Sequence, residues 1–560
     1  MSTIAGRLTA RLGVGGRELA CVAGIVAAAA AFRFVNLPVR GGWDSDQGTE
    51  MLALRDAIAT GRLPTFGPVS SLGNFHHGAL SRDLILPAAW LGNGDPTWVV
   101  GENALLGLLV VLAVWWIARS IAGTPAGLAA ALLAAVSASL IGYSTFIWNP
   151  TPVEPGAALA YLGAWQAVRT QKAQWWILAA IGSAVAAQSH IAAAVILLPM
   201  AAAYALDLRR GPAVRRRSIV RWGLASAVLF FATFLPMIVS EIGHDFSDTR
   251  GILAYFTSPT STAVHDPITQ VLFSAVRILA WPLTRWPLID FVPAFPIALV
   301  VAAGLAVGLL WRLGATAEQK TAGGAVATAG PDHEVARGGS GAAGSAISED
   351  RTGAPEAIER LGTRLVGGGL LLIILALGLG VHAVSEVQGL PTEQYHIVAD
   401  PLVFVAAGLV LGGLWRSLPL RDVTAARRAA AVVAIVALVA WNVDRWPPLT
   451  SPDGGWPAAQ AAATRVERDA GSSAVALVPL FAPKGGDAYA YPLARDGVTL
   501  VAPEHAAIVV ILCDTFWLSG CGGPAEEAWR TGNPAGRNLV FVDRFAAAPD
   551  RLLTVYRRAP

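Results

Sequence analysis

Charged residues are scarce in this chain. Asp, Glu, Lys and Arg make up 14% of its 560 residues, against roughly 25% in soluble domains. The composition excludes an ordinary soluble domain, and the alternation expected of a membrane barrel is not evident either. No secretory cleavage site is evident, so residues 19–37 are expected to remain as a first span rather than leave as a signal. No short internal repeat stands out. The net charge of +3 comes from Lys and Arg in short loops between apolar runs, where they set orientation, and no nucleic-acid partner is expected. Cysteine is rare too. Of three, Cys21 lies in the first span, while Cys513 and Cys521 share one small loop near the C-terminus.

What is abundant is apolar. Hydrophobic residues reach 54% and the mean hydropathy is +0.53, so an all-α polytopic membrane protein is expected. Stretches of roughly 17–25 mostly apolar residues fall at 19–37, 98–118, 126–146, 152–168, 174–189, 190–207, 219–240, 291–312, 364–385, 397–415 and 428–446, about eleven spans. The basic clusters Arg7/Arg11/Arg17, Arg119, Arg169/Lys172, Arg209–Arg217, Arg312/Lys320 and Arg416–Arg428 then fall on one side. By the positive-inside rule the N-terminus is cytoplasmic, and 38–97, 147–151, 241–290, 386–396 and everything after 447 face outward. Splitting 174–207 at Gln188-Ser189-His190 is favoured, because a single helix there would put the later basic clusters outside.

Residues 83–93 are too short to cross and predict an interfacial or half-inserted helix. The stretch 314–362 is rich in Gly, Ala, Ser and Thr, which reads as a disordered cytoplasmic linker between the module 1–313 and the C-terminal spans 363–446. From 447 the pattern changes. Short β-like runs at 475–478 and 507–512 and a helical pattern over 456–470 predict a small extracytoplasmic α/β domain over 447–560. Cys513 and Cys521 would then lie in an oxidising compartment, where a local disulfide is expected. A metal site is disfavoured, since two cysteines lack a His at ligand spacing.

The chemistry is sought in the first outer loop. It opens with Trp43-Asp44-Ser45-Asp46-Gln47-Gly48-Thr49-Glu50 and closes with Asn74-Phe75-His76-His77-Gly78. Charge beside hydrocarbon is expensive and marks a site by default. Asp44, Asp46 and Glu50 offer general bases, while Arg55, Arg62, Arg82, His76 and His77 offer cations or imidazoles for a phosphate. Asp46 and Glu50 would share one face of a helix beginning after Ser45, with Asp44 at its mouth. The competing reading is that these are solvated loop charges and a helix cap.

Several blocks together resemble the GT-C superfamily of membrane glycosyltransferases. The likeness is greatest to bacterial members of the dolichyl-phosphate-mannose protein mannosyltransferase and lipid A aminoarabinose transferase families. They are Trp43-Asp44-Ser45-Asp46, residues 59–68 (ATGRLPTFGP), His76-His77-Gly78-Ala79-Leu80 with residues 84–91 (LILPAAWL), and Phe234-Leu235-Pro236 with Glu241. The similarity covers roughly 15–310 and more loosely 364–446. It implies transfer from a polyprenyl-phosphate sugar held above the outer leaflet of the inner membrane to an extracytoplasmic acceptor. It also implies that the first-loop acid activates or orients that acceptor. Many relatives carry an adjacent Asp-Glu pair where this chain has Asp44-Ser45-Asp46, so Asp44 and Asp46 both stand as catalytic candidates. Arg55, Arg82 and His77 are candidates for stabilising the departing phosphate.

Trp148, Glu154, His190, Glu241 with His244 and Asp245, His265 with Asp266, Glu386, Glu393, and Tyr395 with His396 fall near outward ends, in position to line one cavity. Against this, His190 reads as a packing or turn residue, and Tyr395 with His396 as an aromatic belt. The substrate-binding set is Glu50, Arg55, His76, His77, Arg82, Glu241, Tyr395 and His396. The His-Asp pairs offer too few oxygens for a divalent cation, and no metal or other cofactor is expected besides the lipid-linked sugar. A secondary transporter is the main alternative. It would place its site at the midplane on broken helices in repeated halves, whereas here charge gathers at one surface. A non-catalytic envelope assembly protein on the same scaffold is the other.

Overall fold

The computed structural model describes residues 13–70, 75–257, 267–285, 291–326, 353–379, 393–415, 421–480, 485–514 and 520–559. His265, Asp266 and Glu386 therefore lie outside the described residues, as does most of the expected linker. Helices dominate up to residue 444, and the protein is a multi-pass membrane protein. Among the described residues six helices are long and apolar enough to cross a membrane. They become seven if Ala213–Ala232 and Leu235–Gly243, bent by 45°, count as one span. The eleven expected spans include shorter pieces, such as Thr124–Val136 and Trp176–Ser189, and the first helix Gly16–Phe34, which carries Arg17, Glu18 and Arg33.

Small residues let the helices approach. A Cβ on Gly156 would meet the carbonyl of Gly182 at 2.8 Å, and one on Gly163 would meet the amide of Ala179 at 2.5 Å. Helices Val153–Thr170 and Trp176–Ser189 thus touch backbone to backbone, a packing that apolar side chains alone do not drive inside a bilayer. The expected break at His190 is present, in extended conformation between Ser189 and the turn Ile191–Ile196. At the basic end of the bundle three cations are paired: Arg119 Nε lies 2.6 Å from Glu18, Arg215 lies 2.7 Å from Asp207, and Arg312 pairs with Glu359.

Three expectations need correction. The outer loop 241–290 contains two helices, Ser247–Thr257 and Pro267–Thr284. The second buries Ile278, Leu279, Ala280 and Trp281 in the core, and Arg277 and Pro282 interrupt its apolar run in the sequence. The helix from Phe291 continues to Val326, and the next begins at Gly353, so helical structure enters both ends of the segment read as a linker. The short helix expected over 83–93 runs from Leu80 to Leu91.

The C-terminal region is a small α/β unit. Strands β1 (Val475–Pro479), β2 (Ile508–Asp514), β3 (Leu539–Ala548) and β4 (Arg551–Arg558) form one sheet in the order β1-β2-β4-β3. β1 and β2 are parallel, and β4 runs antiparallel to both its neighbours. β2 is buried along its whole length, as its run of Ile, Val and Leu requires. This sheet shares a core with the first loop: Trp43, Met51, Leu54 and Ile85 belong to the same apolar cluster as Trp456, Tyr491, Ile508 and Val555. A disulfide joins Cys513 to Cys521, so the thiolates a metal would need are engaged. Replacing both cysteines by Ser should lower stability by about 2–3 kcal/mol in the chain-entropy model of a short closed loop. Denaturant titration would register the loss, and alkylation of both thiols in freshly extracted protein would contradict the bond itself.

Candidate functional site

The acidic motif sits where the first loop meets the C-terminal unit. Asp44 caps helix Ser45–Thr60. Its carboxylate accepts the amide of Asp46 at 2.9 Å, while Gln47 returns a bond to the amide of Asp44, which completes a capping box. Trp43 anchors this turn: its indole donates to the carbonyl of Ala488 at 2.7 Å, its amide donates to Asp453, and its ring packs 4.6 Å from that of Trp456. Ser45 and Thr49 donate to Gly485 and Asp487 of the C-terminal unit. Asp44 lines a small pocket, of about 50 Å³, with Tyr489, Asp514 and Arg551. Asp46 is half-buried in the first turn of the helix.

The other first-loop candidates do not gather around Asp44. Glu50 and Arg82 are both buried and pair with each other at 2.9 Å. Arg55 is exposed, 4.0 Å from Asp56, and Arg62 is exposed as well. His76 lies 3.0 Å from Asp248, whose own amide is held by Glu241. Glu241 accepts from Thr249 as well, so this carboxylate serves the start of helix Ser247–Thr257. His77 stacks on His190 with ring centroids 4.9 Å apart, and Tyr395 meets His190 edge-on at 5.1 Å. Burial, reinforced by His76, pushes His77 down to about 4. It is therefore neutral near pH 7 and brings no positive charge to a phosphate. His396 is fully buried, edge-on to Trp281.

A larger cleft, of about 280 Å³, opens beside the motif. Arg40, Gly41, Tyr143, Trp148, Trp281, Arg285 and Glu393 line it. Arg40 donates one bond to the carbonyl of Phe32, while its Nε and Nη1 are buried without a protein acceptor. Arg285 donates to the carbonyl of Arg445 at 2.8 Å. Burial lowers both arginines from their ordinary range, opposed at Arg285 by Glu393 and Tyr143. A buried guanidinium with unmet donors favours an anion. Of the cleft residues, the sequence reading named Trp148 and Glu393 but neither arginine. Both follow apolar segments at the end that the sequence pattern assigns to the outside, where the positive-inside rule expects few cations, and that is the available signal.

Residues 92–239 match the family described as dolichyl-phosphate-mannose-protein mannosyltransferase. The crystal structure of ArnT from Cupriavidus metallidurans bound to undecaprenyl phosphate is similar with a TM-score of 0.53 at 13% identity, over 95% of this chain and 97% of that one. The chain has the GT-C fold. The apo structure of the same ArnT matches equally well, with a TM-score of 0.53 at 13% identity over the same shares. AglB, the oligosaccharyltransferase of Archaeoglobus fulgidus, in complex with an inhibitory peptide and a dolichol-phosphate, gives 0.47 at 11% identity, over 95% of this chain and 73% of that one. No curated protein matches the sequence. Within this GT-C fold the acidic motif and the arginine cleft lie on either side of Gly41-Gly42-Trp43: Gly41 and Gly42 line the cleft, and Asp44 lines the neighbouring pocket.

Proposed function

We propose that the protein is a glycosyltransferase that moves a sugar from a polyprenyl-phosphate donor to an extracytoplasmic acceptor, which is a protein, a lipid or a cell-envelope glycan. The observation that carries this reading is the cleft that collects Arg40 and Arg285 next to the acidic motif, with two buried donors of Arg40 left unmet. The likeness to ArnT solved with undecaprenyl phosphate supports the same donor class.

In this reading Arg40 and Arg285 bind the donor phosphate. As the bond between the anomeric carbon and the phosphate oxygen breaks, that oxygen keeps the electron pair and the guanidiniums stabilise its growing charge. The acceptor oxygen forms the new bond from the opposite face, so the carbon inverts, and its proton passes to a first-loop carboxylate. Asp44 is favoured over Asp46 because it lines the small pocket between the first loop and the C-terminal unit, and Asp46 does not. Trp148, Tyr143 and Glu393 are the groups offered to the sugar. No resident metal is assigned, since two guanidiniums match the charge of the leaving phosphate. The protein is assigned to the inner membrane, N-terminus cytoplasmic, with the cleft and the C-terminal unit outside. The disulfide supports that side.

The test is reconstitution of the purified protein in nanodiscs with a panel of radiolabelled polyprenyl-phosphate sugars. Consumption of at least one is expected, and none being consumed would count against transfer. Arg40→Ala and Arg285→Ala should each weaken binding of undecaprenyl phosphate about tenfold to a hundredfold, the effect of losing charge-assisted hydrogen bonds. Unchanged affinity in both variants would remove the phosphate from this cleft.

A further inference from the structure

The motif that carries Asp44 is held from the far end of the chain. Arg551, the first residue of β4, donates through Nη1 to the carbonyl of Trp43 at 2.6 Å, across 508 positions of sequence. Its Nε lies 3.2 Å from Asp514, its register partner at the end of β2. The disulfide at Cys513 pins the strand end that bears Asp514. The guanidinium is mostly buried and lines the same pocket as Asp44. Burial works against its charge, yet Tyr489, Asp44, Asp514 and Asp453 together hold it above the ordinary arginine range. Nothing else in the C-terminal unit touches both the catalytic turn and the sheet through one charged side chain among the bonds described.

We propose that Arg551 is a positioning residue: it fixes the Trp43–Asp44 turn against the C-terminal sheet, so that Asp44 meets the acceptor at a set distance and direction. This rests on the assignment of Asp44 above. The physical reason is that the cap bond ties Asp44 to its helix, whereas the pocket is walled largely by the C-terminal unit. Trp43, Ser45 and Thr49 bond to loop and helix residues of that unit, and the Arg551 fork adds the tie to the sheet, gripping the carbonyl before Asp44 and a strand carboxylate. The C-terminal unit thereby becomes part of the transfer machinery rather than an appendage.

The experiment compares full-length wild type with Arg551→Ala, Arg551→Lys, Asp514→Asn and Asp44→Asn, all in nanodiscs. Hydrogen–deuterium exchange of the peptide spanning 43–52 needs no donor. It should speed up about tenfold in Arg551→Ala and Asp514→Asn, the effect of one lost charge-assisted bond, with β1 and β2 exchanging as in wild type. With the donor the wild type consumes, Arg551→Ala should lower kcat about tenfold to a hundredfold, as expected for an ångström-scale misplacement of a reacting group, at unchanged KM for the lipid donor. Arg551→Lys should recover part of that loss. Unaltered exchange at 43–52, or a kcat that falls only in proportion to folded protein, would overturn the proposal. If Arg551→Ala does not fold, Arg551→Lys and Asp514→Asn decide by the same two readouts. Asp44→Asn separates the two levels: wild-type turnover there sinks the catalytic assignment, while an inactive Asp44→Asn beside fully active Arg551 variants sinks this inference alone.

Discussion

Asp44→Asn is expected to lower turnover by about a hundredfold to ten-thousandfold, the usual contribution of a positioned acid or base, while expression and donor affinity stay near wild type. The substitution is unusually clean here. Asp44 has a second role as the cap of helix Ser45–Thr60, and Asn caps a helix about as well as Asp, so the fold keeps its hydrogen bond and loses only the basic oxygen. Asp44→Ala removes both, and should add a stability loss of about 1 kcal/mol. Asp46→Asn is the companion measurement. Asp46 is not among the residues lining the pocket, so it should retain most activity. If both Asn variants turn over as wild type does, the chemistry does not belong to this motif. If Asp46→Asn alone is inactive, the two carboxylates exchange roles.

Charge at a hydrophobic edge made the acidic motif legible before any fold was known, because an acid beside hydrocarbon needs a reason to be there. The disulfide was legible as well, from two cysteines in one loop on the side assigned as oxidising. The break at His190 followed from orientation alone. The arginine cleft was less legible. Arg40 sits in a Pro-Val-Arg-Gly-Gly stretch and Arg285 follows a helix hidden by Arg277 and Pro282, so neither stands in a recognisable cluster. The two meet only through tertiary packing, as Arg40 and Arg285 lie on different elements. Spacing in the first loop does not show which partners its charges find. His76, His77 and Arg82 are near neighbours in sequence, but they turn toward Asp248, His190 and Glu50 respectively. A sequence shows which charges are affordable at a membrane edge only after their partners are known. Arg551 is the extreme case, since nothing local marks a strand arginine as the neighbour of a loop hundreds of residues earlier.

The largest stability effect should come from Glu50 and Arg82, which the first-loop pattern had suggested as substrate ligands. The carboxylate of Glu50 faces Arg82 with both oxygens, Nε at 2.9 Å and Nη2 at 3.4 Å, and Nη1 donates to the carbonyl of Phe66 at 3.0 Å. Glu50 is 3% exposed and Arg82 9%. The pair ties helix Ser45–Thr60 to helix Leu80–Leu91, the two elements that frame the loop. Removing either partner strands the other charge in a buried site, so Glu50→Ala or Arg82→Ala should cost about 3–5 kcal/mol. Replacing both at once, Glu50→Leu with Arg82→Met, deletes the desolvation penalty along with the attraction and should recover much of that loss. Denaturant titration in mixed micelles separates this from a ligand role. A structural pair predicts large single losses, a milder double variant and unchanged donor affinity in whatever folds. A ligand pair predicts the reverse, with near-normal stability and weakened binding, because an exposed charge waiting for substrate has no buried partner to abandon.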